Sequence, residues 1–376
     1  MSIEFIGLID TREQSEIKRA PGPIIDREYT RRITRAHEDA GFDKVLIGTA
    51  SVFPEGTQVA AYAAQHSERL GFLVSHRPGF VAPTVAARAF ATLDQFAGGR
   101  ISLHTITGGS DAEMARDGDH LTKDERYART DEYLDILKLA WTSSEPFDYA
   151  GTYYDVKDFW TDLRSPQEPH IPLYFGGSSE AAFRVGGKHA HTFAIWGEPL
   201  AQAAEQIALI RAAAEAAGRD TPPGISVSVR PILGATEELA WERAHRILAT
   251  TEANIANAQG LGSLLKRFRP ESTPQNAGSQ RLLAAAEAGE LHDRCLWTPL
   301  AKATGAGGNS TALVGTPETV AAALLDYVDI GATTLLIRGY DPYEDAIDYG
   351  RDLIPLVRDE VARRERAAVG EPVAAG

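Results

Sequence analysis

Cysteine is almost absent. Cys295 stands alone in 376 residues, so no internal disulfide can form, and the chain reads as cytoplasmic, suited to a reducing compartment. Long apolar runs are missing too: none approaches the ~20 residues that cross a bilayer. The opening MSIEFIGLID has no basic stretch ahead of an apolar one, so no signal peptide is expected. Positive charge is scarce, with 38 Lys and Arg against 52 Asp and Glu, a formal charge of −14. Such an anion has no basic face for nucleic-acid phosphates and suits an anionic membrane surface poorly. The remainder, 43% apolar and 24% charged, is that of a globular chain and excludes wholesale disorder. Small molecules are the expected partners.

What is present is an alternation of short apolar runs with longer amphipathic stretches. Strands are predicted over 3–9, 44–47, 71–75, 101–106, 172–175, 192–195, 225–233 and 334–337. Helices are predicted over 27–40, 56–67, 83–96, 124–141, 179–186, 200–217, 236–257, 317–327 and 343–363. Eight βα units in order imply a closed (β/α)8 TIM barrel, with residues 1–365 as one domain. The competing Rossmann arrangement lacks its glycine fingerprint, because Leu8-Ile9-Asp10-Thr11-Arg12 follows the first strand. Two insertions interrupt the pattern. Segment 142–170 is aromatic and Pro-containing, an excursion in which a hairpin fits. Segment 258–315 carries the basic, turn-rich LLKRFRPESTPQNAGSQ and is a candidate active-site lid. The small-residue tail 366–376 is expected to be flexible.

In a barrel the chemistry lies at the C-terminal ends of the strands. There stand His76 after strand three, His104 and Thr107 on and after strand four, Gly176-Gly177-Ser178-Ser179 after strand five, and Trp196 at the end of strand six. Arg230 lies within strand seven, and Arg338 and Tyr340 end strand eight. The glycines allow close backbone approach, and the next helix offers free N–H groups and its positive dipole end, so this run is either a monophosphate pocket or a capped helix start. His76 and His104 are the functional histidine candidates. Trp196 is placed to wall a flat ligand. Arg230 in an apolar strand is read as an anion clamp, with a structural ion pair as the alternative. His189-Ala-His191 imitates a metal-binding H-x-H but leads into strand six, so no metal is expected.

The run PTVAARAFATLDQFAGGRISLHTITGGSDAEMARDGD, followed by ERYARTDEY, PLYFGGSSEAA, WGEP and TALVGTPETVAAALLDYVDIGATTLLIRGY, resembles the flavin-dependent alkanesulfonate monooxygenases of the bacterial luciferase-like superfamily. The resemblance implies a (β/α)8 barrel that accepts reduced FMN from a separate NAD(P)H-dependent flavin reductase, reacts it with O2 and cleaves an organosulfonate to sulfite and an aldehyde. It implies a small anionic substrate and a homo-oligomer, dimer or tetramer. It places the flavin on His104, Thr107, Tyr127, Gly177, Ser178 and Ser179, which favours the phosphate pocket. His76, Arg230, Trp196 and Tyr340 become the catalytic candidates, with Phe53 and Arg338 on the substrate side.

The chain departs from that family in three places. Phe53 stands where the relatives carry Cys after strand two, Ser228 and Arg230 replace an Arg-x-His pair, and Ala306-Gly307-Gly308-Asn309-Ser310 replaces an Arg before ALVG. The anion-binding set is thus rearranged. The alternatives are a deazaflavin-dependent oxidoreductase on the same barrel and a flavin-binding protein without turnover.

Overall fold

The computed structural model describes residues 3–19, 22–257 and 274–368. In chain order the elements are β1 (Glu4–Leu8), α1 (Arg27–Asp39), β2 (Lys44–Ile47), α2 (Gly56–Ala64), β3 (Gly71–His76), α3 (Pro83–Ala97), β4 (Ile101–Thr105), α4 (Asp111–Arg116) and α5 (Lys123–Thr142). A hairpin of β5 (Phe147–Ala150) and β6 (Asp155–Phe159) follows. Then come β7 (Leu173–Gly176), α6 (Glu180–His189), β8 (Thr192–Trp196), α7 (Leu200–Ala216), β9 (Gly224–Leu233) and α8 (Glu237–Ala256). The remainder is α9 (Ala277–Ala288), β10 (Leu291–His292), β11 (Leu296–Trp297), α10 (Pro299–Thr304), β12 (Ala312–Gly315), α11 (Pro317–Asp329), β13 (Thr334–Ile337), α12 (Pro342–Asp348), a π-helical turn Tyr349–Leu353 and α13 (Ile354–Ala368).

Strands β1, β2, β3, β4, β7, β8, β9 and β13 pair in parallel in that order, and β13 returns to β1. The expected eight-stranded barrel is therefore closed. Local chemistry sets the helix starts. Thr122 and Glu125 form a reciprocal capping box on α5, and Pro83 opens α3, which stops at Gly98 in the left-handed region (φ +67°).

Side chains alternate between two layers. Phe5, Val45, Phe72, Ile101, Phe193 and Leu335 point out to the helices and form the main core. Ile6, Leu73, Tyr174 and Leu336 point inward and fill the barrel axis. Below them Tyr174 Oη donates to Glu4 Oε2 at 2.7 Å, Thr334 donates to the same oxygen at 3.2 Å, and Lys44 pairs with Glu4. This packed plug closes the N-terminal end, so a ligand reaches the barrel only from the other face.

Two stretches differ from the sequence expectation. Segment 258–315 is not irregular where it is described: β9 is ten residues long, and its C-terminal half leaves the barrel to pair with β12, Arg230 opposite Ala312 through Leu233 opposite Gly315. β12 carries β11 and β10 into a small second sheet. The first part of the expected lid, 258–273, lies outside the described residues. The last helix is broken by the π turn, and α13 extends to Ala368, so the expected tail begins later; from 369 on it too lies outside the described residues.

Candidate active site

Inward alternation at the open end selects one residue per strand: Asp10 beyond β1, Gly48 beyond β2, Ser75 on β3, His104 on β4, Gly176 on β7, Trp196 on β8, Arg230 on β9 and Arg338 beyond β13. Five of the expected residues, His104, Tyr127, Gly177, Ser178 and Ser179, meet on one side of this ring or beside it. Gly177 has φ +147°, and a Cβ there would lie 2.7 Å from the Ala182 methyl and 3.0 Å from the Tyr127 hydroxyl. Only glycine fits this cradle. Ser179 caps α6, its Oγ accepting from Ala182 N at 3.3 Å, and Ser178 precedes it beside the free N–H groups of the first turn. Tyr127 is buried against Phe175. His104 lies against Gly176, with Cε1 3.3 Å from a Cβ built there; its Nδ1 is buried and has no hydrogen-bond partner among the described residues. Burial pushes its pKa down to about 4, so the ring is neutral at pH 7. Thr107 is buried in the loop after β4.

The expected catalytic residues are not all brought there. His76 belongs to the outward series of β3: its Nε2 meets Tyr133 Oη at 2.6 Å and its ring stands edge-on to Phe90. It therefore faces α3 and α5, one residue out of phase with the mouth, where Ser75 takes the inward place. Arg230 does face inward, but as an ion pair. Its Nη1 lies 2.7 Å from Glu16 Oε1, its Nη2 donates to Gly339 O at 2.8 Å, and the guanidinium rests 3.5 Å from the centre of the Tyr340 ring. Arg338 reaches the same Glu16 oxygen at 3.1 Å. The two arginines hold the Glu16 carboxyl down at about 2 against its own burial. The alternative reading of Arg230, a structural pair, matches this geometry. Tyr340 is buried, and its hydroxyl has no partner among the described residues.

Trp196 closes the mouth beside β8, and the start of α9 lies on it: a Cβ at Gly278 would be 3.0 Å from the indole and 3.5 Å from Ser178 Oγ. Residues 275–279 thus run across the opening. Asp111 N donates to Gln275 Oε1 at 3.0 Å, and Ser279 Oγ to Ala306 O at 2.6 Å. Phe53 lines a cavity of ≈ 200 Å3 over the ends of β1 and β2. Asp10, Glu16 and the buried Arg77–Glu113 pair (2.6 Å) were missed from sequence. Asp10 had a signal, an acid at a strand end, whereas Glu16 lies in a loop with no pattern to reveal it. His189 meets Asp131 at 2.6 Å on the outer face, where Lys188 also pairs with Asp131 and Asp135, while His191 accepts from Leu173 N.

The sequence matches the luciferase-like monooxygenases over residues 3–334. The chain belongs to that family. Among solved structures, this luciferase-like monooxygenase is similar to the riboflavin lyase RcaE, determined with modified FMN and riboflavin, with a TM-score of 0.80 at 21% identity, covering 96% of this chain and 92% of that one. It is similar to the EDTA monooxygenase EmoA from Chelativorans sp. BNC1, with a TM-score of 0.72 at 18% identity and 99% of each chain covered. An F420-dependent secondary alcohol dehydrogenase has the same fold, with a TM-score of 0.67 at 15% identity, covering 96% of this chain and 100% of that one. At these identities the likeness speaks for the barrel, and the substrate has to be argued from the site.

Proposed function

We propose that this luciferase-like monooxygenase is the cytoplasmic oxygenase half of a two-component system, taking reduced FMN from a separate NAD(P)H-dependent flavin reductase and oxidising a small organic substrate with O2. The observation that carries this is the cradle of Gly177, Ser178 and Ser179 at the start of α6, beside Tyr127 and beside His104, whose Nδ1 has no partner among the described residues. These residues fit the group: a phosphate suits the helix N-terminus and two hydroxyls, and a neutral, buried imidazole awaits a polar edge. Bound FMN would supply the oxygen chemistry. The chain's own part would be to hold the phosphate with Gly177, Ser178 and Ser179, to meet a polar edge of the group with His104, and to exclude water with Trp196 and residues 275–279. The missing glycine fingerprint after β1 supports NAD(P)H oxidation by the partner.

Desulfonation of an organosulfonate is the finer expectation from sequence. It needs a cation free to meet the sulfonate, and Arg230 and Arg338 both rest on Glu16. A deazaflavin-dependent oxidoreductase is a second reading, favoured by the F420-dependent neighbour. Stopped-flow mixing of the protein with reduced FMN and then O2 separates the readings. A flavin-to-oxygen reaction altered by the protein, with label from O2 in a product, is expected. Hydride transfer with reduced deazaflavin in the absence of O2, and no effect on the FMN reaction, would overturn the proposal. Sulfite release across a sulfonate panel tests the finer expectation.

A further inference from the structure

The mouth of the barrel holds an acid that none of the roles above uses. Asp10 is the inward residue beyond β1, and no hydrogen bond or ion pair reaches its carboxylate from the described residues. It borders the ≈ 200 Å3 cavity over β1 and β2, whose other walls include Ile9, Ile24, Ile47, Phe53 and Val59. It also borders a narrower cleft that leads to Arg230 and Arg338. A dry apolar cavity of ~150 Å3 takes a benzene-sized molecule, so this one has room for a six-carbon ring with one polar group.

The charges around Asp10 decide which polar group. Glu16 and Tyr29 lie near it, as do Arg338 and Arg12. Arg230 and Arg338 are both engaged by Glu16, and Arg12 Nε donates to Gln14 Oε1 at 3.0 Å. Two acids, Asp10 and Glu16, therefore balance Arg230 and Arg338 within the mouth, and the further cation on the cavity wall among the described residues, Arg12, is part-exposed rather than buried and acts on Asp10 itself. An anionic substrate head would instead meet the open carboxylate of Asp10, at a cost that low dielectric enlarges.

We propose that Asp10 sets the substrate class of this oxygenase: a compact, mainly apolar, uncharged molecule whose single hydrogen-bond-donating group binds the Asp10 carboxylate. The inference rests on the barrel mouth being the substrate site of the function proposed above. It excludes small sulfonates as preferred substrates and gives Asp10 a positioning role through direct contact with the substrate. Burial pushes the Asp10 pKa up to about 6, despite Arg338 and Arg12, so its repulsion of anions weakens as pH falls through that value.

Cyclohexanol and cyclohexanesulfonate are matched probes, because the sulfonate stays anionic across the whole pH range used. Binding to the full chain is measured by calorimetry without flavin and again with FMN. At pH 8 the alcohol is expected to bind at least tenfold more tightly than the sulfonate. The sulfonate should gain about tenfold between pH 8 and 5.5, and Asp10→Asn should raise its affinity at pH 8 and erase that gain. The proposal is overturned by sulfonate binding equal to or tighter than the alcohol at pH 8, by no binding of either probe at millimolar concentration, or by an Asn variant with an unchanged ratio. The wild-type pH series decides even where the variant fails to fold. Selective alcohol binding by a protein that leaves the reduced FMN reaction unaltered would sink the monooxygenase reading and leave the cavity assignment standing.

Discussion

At the scale of single residues, the two serines after β7 look interchangeable in sequence and are not. Ser179 spends its hydroxyl on the α6 cap, whereas Ser178 caps nothing. Ser179→Ala is expected to cost about 1 kcal/mol of stability and to weaken FMN binding. Ser178→Ala should weaken FMN binding about tenfold, with a melting temperature within a degree of wild type. Flavin fluorescence titration and thermal melts on the two variants check the split. Arg230 has the opposite character, a functional-looking residue with a structural partner. Arg230→Met keeps much of the volume but leaves Glu16 with Arg338 alone, and breaking a buried pair costs about 3–5 kcal/mol. Urea denaturation should show that loss, and adding Glu16→Gln should recover part of it. A variant of unchanged stability that loses turnover would restore the clamp.

At the scale of elements, the period of the pattern decided what was legible. The eight barrel strands could be read because each is a short apolar run bounded by turn residues, and every phosphate-side residue except Tyr127, which comes from α5, sits in the loop just after its strand or faces inward from it. His76 misled because strand-end position was read without phase: Phe72, Val74 and His76 share the outward face. The second sheet was illegible for another reason. β10 and β11 are two residues each, too short for any periodicity, and exist only because β9 overruns the barrel and exposes an edge to β12. The same added layer brings α9 across the mouth. Gly278 is the contact point, since a Cβ would press on Trp196 at 3.0 Å. Gly278→Val is expected to lift the start of α9, expose Trp196 and speed FMN release several-fold. A red-shifted Trp emission with faster stopped-flow dissociation would bear this out, whereas unchanged release would remove residues 275–279 from the flavin site.

At the scale of the whole molecule, acid stability follows from where histidines are buried. His37, His76, His104 and His191 are each pushed, chiefly by burial, from the usual 6.5 down to about 4. His37 donates from Nδ1 to Ile33 O at 2.8 Å, a bond that favours the charged ring, but its burial outweighs that bond. Between pH 6.5 and 4 the unfolded chain binds protons that the folded chain refuses, so stability falls as pH falls, by on the order of 1 kcal/mol per pH unit for each ring. Asp10 acts in the other direction. Its carboxyl, at about 6 when folded, takes a proton before the unfolded chain does, so below pH 6 it returns roughly one ring's share. Glu16, held at about 2, adds to the acid loss only below the ordinary glutamate range. Four rings against one acid, the more exposed His191 counting for less because water screens it, leave a net loss of about three rings' share. The urea midpoint should therefore decline continuously from pH 7 to 5, and His104→Asn, which removes one ring from the mouth, should shrink that decline by about a third. A flat profile over the same interval would mean that these rings are protonated in the folded state, and with His104 charged, the neutral side chain assigned to the flavin edge would be lost as well.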